Sequence, residues 1–209
     1  MSKQIQDAYI VAATRTPIGR SGRGYFRNTR SDDLLIRALQ AALGQVPTLD
    51  PAAIEDAIVG CSFPEGEQGM NVARTISIRA GLPDTVPAET INRYCSSGVQ
   101  SIAHVANAIQ AGQIEIGIGG GVESMSMVPM MGYKFSPNPH FALDLPHYYT
   151  NMGLTAENVS VKYGISREDQ DEFSFKSHQK AAKAVTSGLF DPELVSIDVE
   201  VTELDADER

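Results

Sequence analysis

Through residue 122 the chain alternates short apolar runs with longer stretches of helical period. Residues 8–13 (Ala-Tyr-Ile-Val-Ala-Ala), 56–61, 87–91 and 114–118 predict strands. Between them, Leu34, Leu35, Ala38, Leu39, Ala42 and Leu43 recur at helical spacing behind Ser31, an expected N-cap with Asp32 and Asp33 in the first turn. Gly44 and Pro47 are expected to close that helix, and Asp50-Pro51 to open a short one. Residues 71–80 predict a further helix, stopped at Gly81-Leu82-Pro83. Val99, Ile102, Ala106 and Ile109 mark one face of another. This alternation predicts an α/β layer on a largely parallel sheet.

The pattern then changes. Residues 125–149 carry Pro129, Pro137, Pro139 and Pro146, four methionines and several aromatics, and predict an irregular excursion. Helices are expected at 155–163 and 167–186, the second capped by Ser166 with an acidic first turn and later lysines. Residues 194–201 predict a strand, and the acidic tail 203–209 is expected to fray.

Composition narrows the function classes. With 209 residues, 42% hydrophobic and 21% charged, the chain is long enough for one or two domains with a substantial core. A net charge of −9 argues against non-specific binding to nucleic acid or an anionic membrane, while leaving room for a local anion site. Two cysteines make no disulfide framework, the opening residues lack the apolar core of a signal peptide, and no stretch reads as a membrane span. A reduced, cytoplasmic setting is therefore expected.

Cys95 carries the most informative chemistry. It lies in Asn92-Arg93-Tyr94-Cys95-Ser96-Ser97-Gly98, between a predicted strand and a predicted uncharged helix. A thiolate is favoured at a helix N-terminus, where thiol pKa values fall from ~8.5 to roughly 3.5–7.5. The backbone N–H groups of Ser97, Gly98 and Val99 are expected near the sulfur, with Gly98 allowing close approach of a chain or substrate. From spacing alone, Cys95 reads equally as a nucleophile or as a structural thiol. Cys61, inside an apolar run, reads as a core thiol. His104, His140, His147 and His178 have no metal-ligand spacing, and no metal is expected. His104 reads as a packed side chain, and His140 and His147 lie in the irregular region. Gly117-Ile118-Gly119-Gly120-Gly121 fails the dinucleotide-binding pattern and reads instead as a site of close backbone packing. The methionines Met125, Met127, Met130 and Met131 read as an adaptable apolar wall or as ordinary packing.

Taken together, several segments resemble the thiolase family of acyl-CoA acetyltransferases. Arg15-Thr16-Pro17-Ile18-Gly19 resembles its opening loop, the segment around Cys95 its nucleophile motif, and Gly119-Gly120-Gly121-Val122-Glu123-Ser124-Met125-Ser126 the strand end that follows. Met152-Gly153-Leu154-Thr155-Ala156-Glu157-Asn158-Val159 and Gly164-Ile165-Ser166-Arg167-Glu168-Asp169-Gln170-Asp171 resemble the entry to its substrate-binding loop domain. The matches keep order and spacing across almost the whole chain.

The resemblance implies a thiolase-like α/β fold in which two similar halves stack their sheets around buried helices, with a loop domain inserted in the first. Residues 1–122 would be the first, mostly parallel half, and 123–209 an incomplete loop domain. It implies Cys95 as the nucleophile that carries an acyl thioester, its backbone N–H as an oxyanion donor, and Met152 with the Met125–Met131 region beside the acyl or pantetheine channel. Coenzyme A would be a substrate, with no permanently bound cofactor. Acyl-CoA, CoA and copies of the chain in a homodimer or homotetramer would be the partners. The family's second half supplies the histidine of a Gly-His-Pro motif and the cysteine of a Cys-x-Gly motif; these residues contain neither. A complementary C-terminal half is therefore expected for activity, and an exposed apolar face in its absence. The Cys-Ser-Ser-Gly and Ile-Ser-Arg-Glu segments look more like degradative 3-ketoacyl-CoA thiolases, the enzymes of fatty acid β-oxidation, than biosynthetic acetoacetyl-CoA thiolases. Asn151 stands where some biosynthetic members have histidine. A non-catalytic acyl-CoA-binding or structural subunit is the alternative from another class.

Overall fold

The computed structural model describes residues 5–199. Two compact units divide them: one runs to Tyr133 and resumes at Glu193, the other is Lys134–Pro192. The expected division after residue 122 does not coincide with this one. Residues 123–133 stay with the first unit because Glu123 accepts from the Ser62 N–H (2.7 Å) and Tyr133 N–H donates to Glu65 (2.8 Å).

The first unit is built on a parallel three-stranded sheet of order β2-β1-β3, formed by β1 (Asp56–Gly60), β2 (Ala88–Ile91) and β3 (Gly117–Gly121). Ala57 pairs with Ala88 on one side and Ile118 on the other. Three helices accompany the strands: α1 (Ser31–Gln45), α2 (Val72–Ala80) and α3 (Ser97–Gln110). The α/β class and parallel sheet are those the alternation predicted. The core gathers Leu39 of α1, Val59 and Cys61 at the end of β1, and Val72, Ala73 and Ile76 of α2. Burying an aliphatic side chain of this kind contributes roughly 1.5–3 kcal/mol.

Local chemistry sets most boundaries. Asn71 caps α2 by accepting from Arg74 N–H, and Gly81, in the left-handed region at φ 109°, ends it. Asp50 accepts from Ala52 N–H and starts a single turn at Pro51–Ala53. Ser31, by contrast, is not a cap. It is the first residue of α1, behind Arg30, and its buried hydroxyl has no hydrogen-bond partner among the described residues. Gly44 lies inside α1, which ends at Gln45.

Two strand expectations need correction. The third strand of the sheet is 117–121, not 114–118. Its glycines are the strand because α3 lies directly on them: a Cβ on Gly119 would stand 2.8 Å from Ile102 Cα, and one on Gly117 2.8 Å from Val105 Cγ1. Residues 8–13 form no strand, and Tyr9, Ile10 and Val11 are exposed. The backbone near that run is held elsewhere. Ala13 N–H donates to Gln45 Oε1 (3.0 Å), and Arg15 exchanges hydrogen bonds with Glu193 and Val195 (2.8 and 2.9 Å). An apolar cavity of about 640 Å³ lies between this run, α1, α3 and the outer edge of β3. Of the strand expected at 194–201, the described residues contain one bridge, Leu194 with Arg15; Glu200 and Val201, like the tail 203–209, lie outside them.

The second unit holds α4 (Pro139–Asp144), α5 (Met152–Tyr163) and α6 (Arg167–Thr186). Its irregular entry is organised by rings: Phe135 meets Tyr149 edge-on at 5.6 Å, and Phe141 contacts both Tyr148 and Tyr149. The helix starts follow the expected chemistry. Asn151 caps α5, starting it three residues before the predicted 155, and Ser166 forms a reciprocal capping box with Asp169 on α6. None of these three helices has a buried residue. Among the described residues no helix is long and apolar enough to cross a membrane.

Candidate active site

Cys95 is exposed and stands two residues before α3, on a turn that follows β2. The strand–turn–helix arrangement predicted from the sequence is therefore present. The turn is tightly specified. Tyr94 sits in the left-handed region at φ 46°, a conformation that costs a non-glycine residue roughly 1–2 kcal/mol. Its peptide groups are held on both sides. Tyr94 N–H donates to Asn92 Oδ1 (2.8 Å), while Tyr94 O accepts from Ser97 N–H (3.0 Å) and from Ser97 Oγ (2.6 Å). Ser97 Oγ also accepts from Arg93 N–H (2.8 Å).

One expectation changes here. The Ser97 N–H serves the turn through Tyr94 O, so it does not point at the sulfur. Gly98 and Val99 are the next residues of the first helical turn, whose N–H groups have no partner within the helix.

On helix α3 the buried residues are Ser97, Ser101 and Val105, whereas Val99 of the predicted apolar face is 73% exposed. The glycine strand accepts only small groups at close range. Ser101 Oγ lies 2.7 Å from Gly98 O and 2.6 Å from Gly120 O, its one proton available to either. A Cβ on Gly60 would stand 2.5 Å from Ser97 O and 2.6 Å from Gly98 N, and one on Gly121 would stand 3.1 Å from Gly98 Cα. Glycine at the ends of β1 and β3 thus lets the start of α3 sit directly on the sheet.

Behind the turn lies a polar cluster that sequence reasoning missed. Glu123, just past β3, accepts from Ser62 N–H and from Gln68 Nε2, and lies 3.9 Å from Cys61 Sγ. Buried Gln68 also donates to Phe63 O (2.8 Å) and accepts from Ser124 N–H (3.1 Å). Asn92 Nδ2 donates to Ser62 O (2.8 Å). For Asn92 the readable signal was an asparagine at a strand end, a residue type that bonds the backbone two residues on; Gln68, a polar residue in a turn, carried none. Cys61 is a core thiol, as its apolar setting suggested. Burial first, then the Glu123 carboxylate, push it up to about 11.

The remaining candidates divide between the units. His104 Nδ1 lies 4.0 Å from Glu89 Oε1 on the sheet side of α3. His147 packs on Tyr148 at 4.6 Å in the second unit. Met152 opens α5 there and is 64% exposed. Met125, Met130 and Met131 are exposed. Among the described residues no three His, Cys, Asp or Glu side chains group to hold a metal ion.

Residues 8–209 match the family described as Thiolase, N-terminal domain. The chain is 49% identical over 205 residues to a 3-ketoacyl-CoA thiolase of Bacillus subtilis, covering 98% of this chain and 52% of that protein. It is 40% identical to the peroxisomal 3-ketoacyl-CoA thiolase 5 of Arabidopsis thaliana, covering 94% and 44%. The crystal structure of the Bacillus anthracis acetyl-CoA acetyltransferase superposes with a TM-score of 0.80 at 35% identity, covering all of this chain and 56% of that one. The chain thus spans about half the length of the relatives it matches. A cysteine presented on a strained turn ahead of a helix, within a parallel sheet of this topology and with these relatives, places the chain in the thiolase family.

Proposed function

We propose that this chain is the nucleophile-bearing half of a 3-ketoacyl-CoA thiolase, a degradative enzyme of fatty acid β-oxidation. The carrying observation is Cys95, exposed on the turn before α3. Its thiolate attacks the 3-keto carbon of a 3-ketoacyl-CoA. The carbonyl electrons move onto oxygen, and the Cys95 backbone N–H is one donor for that oxyanion. Collapse breaks the C2–C3 bond, leaving an acyl thioester on Cys95 and the carbanion of acetyl-CoA, which takes a proton. CoA thiolate then attacks the acyl group, releasing acyl-CoA and regenerating the Cys95 thiolate in a ping-pong cycle. Sulfur suits both steps, being a good nucleophile and a good leaving group. The proton transfers need an acid and a base from a complementary half, in the same reading frame or on a separate chain. These residues alone are expected to show no turnover. By its resemblance to the family, Met152 is a substrate-contacting residue. Coenzyme A acts as substrate, the assembled enzyme is a homodimer or homotetramer, and the two free cysteines fit a cytoplasmic setting.

The test pairs the chain with a complementary half and measures thiolysis of acetoacetyl-CoA and of a longer 3-ketoacyl-CoA, with acid quench and peptide mass mapping. We expect an acyl adduct on Cys95, turnover on the longer substrate, and loss of both in Cys95→Ser. Turnover that survives Cys95→Ser would refute the mechanism. A marked preference for the four-carbon substrate would instead assign the biosynthetic acetoacetyl-CoA reaction. Acyl-CoA binding without an adduct would assign a non-catalytic binding subunit.

A further inference from the structure

The sheet's own hydrogen bonds run out just where Cys95 must be held. The β1–β3 pairing ends at Gly60 with Gly121, followed by Val122 N–H to Gly60 O; the β1–β2 pairing ends with Cys61 N–H to Ile91 O. Past these points the three chains have no ladder to keep them in register. Side chains take over. Glu123, from the β3 end, holds the Ser62 N–H of the β1 end at 2.7 Å. Ser62 O accepts from Asn92 Nδ2 of the β2 end at 2.8 Å. The other end of the same amide, Asn92 Oδ1, accepts from Tyr94 N–H at 2.8 Å. This is the residue whose left-handed backbone turns the chain into Cys95.

We propose that Glu123 and Asn92 are positioning residues for Cys95, acting through Ser62 as one tie across the three strand ends. The inference rests on Cys95 being the nucleophile. Glu123 is well suited to the task. A carboxylate accepts a backbone N–H in a charge-assisted bond, and its other oxygen is occupied by Gln68, itself fixed by Phe63 O and Ser124 N–H. Asn92 is suited because its amide carries both the donor for Ser62 O and the acceptor for Tyr94 N–H. Aspartate would set a second acceptor against Ser62 O. Glutamine at 123 would set an amide donor against the Gln68 amide or the Ser62 N–H.

The test reads the sulfur directly. Iodoacetamide alkylation of Cys95 is followed by peptide mass mapping from pH 6 to 9.5 in the chain paired with its complementary half, as the parent and as Asn92→Asp, Glu123→Gln and the double variant. Buried Cys61 reports on folding, because it alkylates only when the core opens. We expect each single variant to slow Cys95 at least 5-fold at neutral pH, or to raise its pH midpoint, with Cys61 still protected. The double variant should be no slower than the slower single one, since both act on one tie. If Glu123→Gln opens the core, Asn92→Asp decides. Unchanged Cys95 rates and midpoints in the folded variants overturn the positioning role, even if thermal midpoints fall. A parent Cys95 no faster than a short peptide of the same sequence overturns the nucleophile reading itself, and this inference with it.

Discussion

Gly60→Ala isolates the contact that seats α3 on the sheet. The residue lies at the end of β1 outside the left-handed region, so alanine meets no backbone obstacle there. The obstacle is space. The added methyl would stand 2.5 Å from Ser97 O and 2.6 Å from Gly98 N, whereas non-bonded heavy atoms rest at roughly 3.5–4.0 Å. Helix α3 must therefore retreat by about 1 Å, because both atoms belong to the backbone and cannot swing aside. Overpacking of this kind costs roughly 1–3 kcal/mol, and a urea m-value of ~1–3 kcal/mol/M turns that into a midpoint lower by about 1 M. The start of the helix moves away from Cys95 at the same time. Cys95 lies on the turn that leads into that helix, so its alkylation rate should fall as the turn shifts. Urea melts followed by circular dichroism give the midpoint, and peptide-resolved alkylation at pH 7 the rate. Gly44→Ala is the control: the site is exposed inside α1 with nothing near its missing Cβ, and should gain about 0.5–1 kcal/mol. A Gly60→Ala chain with the parent's urea midpoint and the parent's Cys95 rate would refute the packing argument.

Cys61 should stay unalkylated at pH 8 while Cys95 reacts, and equal labelling of the two in the folded chain would contradict its burial. Its folded pKa lies above the ordinary value, so the stability it contributes is complete below pH 9 and lost as pH rises toward about 11; urea midpoints across that interval should fall, and a Cys61→Ala chain should fall less. Ser166→Ala removes the cap of α6 and should cost about 1 kcal/mol, seen as lost helicity in the thermal melt. Asp169 in the same box is held below the ordinary carboxylate value, first by the Ser166 hydroxyl and then by its backbone N–H. Its contribution is present above pH 3.8 and fades as pH falls through the folded value, so acid titration of the parent should reproduce part of the Ser166→Ala loss.

The sequence by itself determined the class of fold, most helices and the identity of the nucleophile candidate. Those rest on chemistry within a few residues: Asn71 reaches Arg74 N–H, Ser166 reaches Asp169, and the apolar spacing of 34–43 or 72–80 is set by one helical turn after another. Tertiary structure decided what depends on distant partners. Residues 8–13 have the composition of a strand, yet they do not pair with the free edge of β3; Ala13 bonds Gln45 at the end of α1, and Arg15 just beyond the run bonds residues 193–195. The glycines of β3 look like a loop until α3 is placed on them, and the same placement buries Ser101 instead of Val99. Glu123, Ser62 and Asn92 are 30 or more residues apart in pairs and meet only because parallel strands finish side by side. A side chain's reach along the chain is about one turn, whereas its reach across a sheet is set by topology, and no local pattern encodes that.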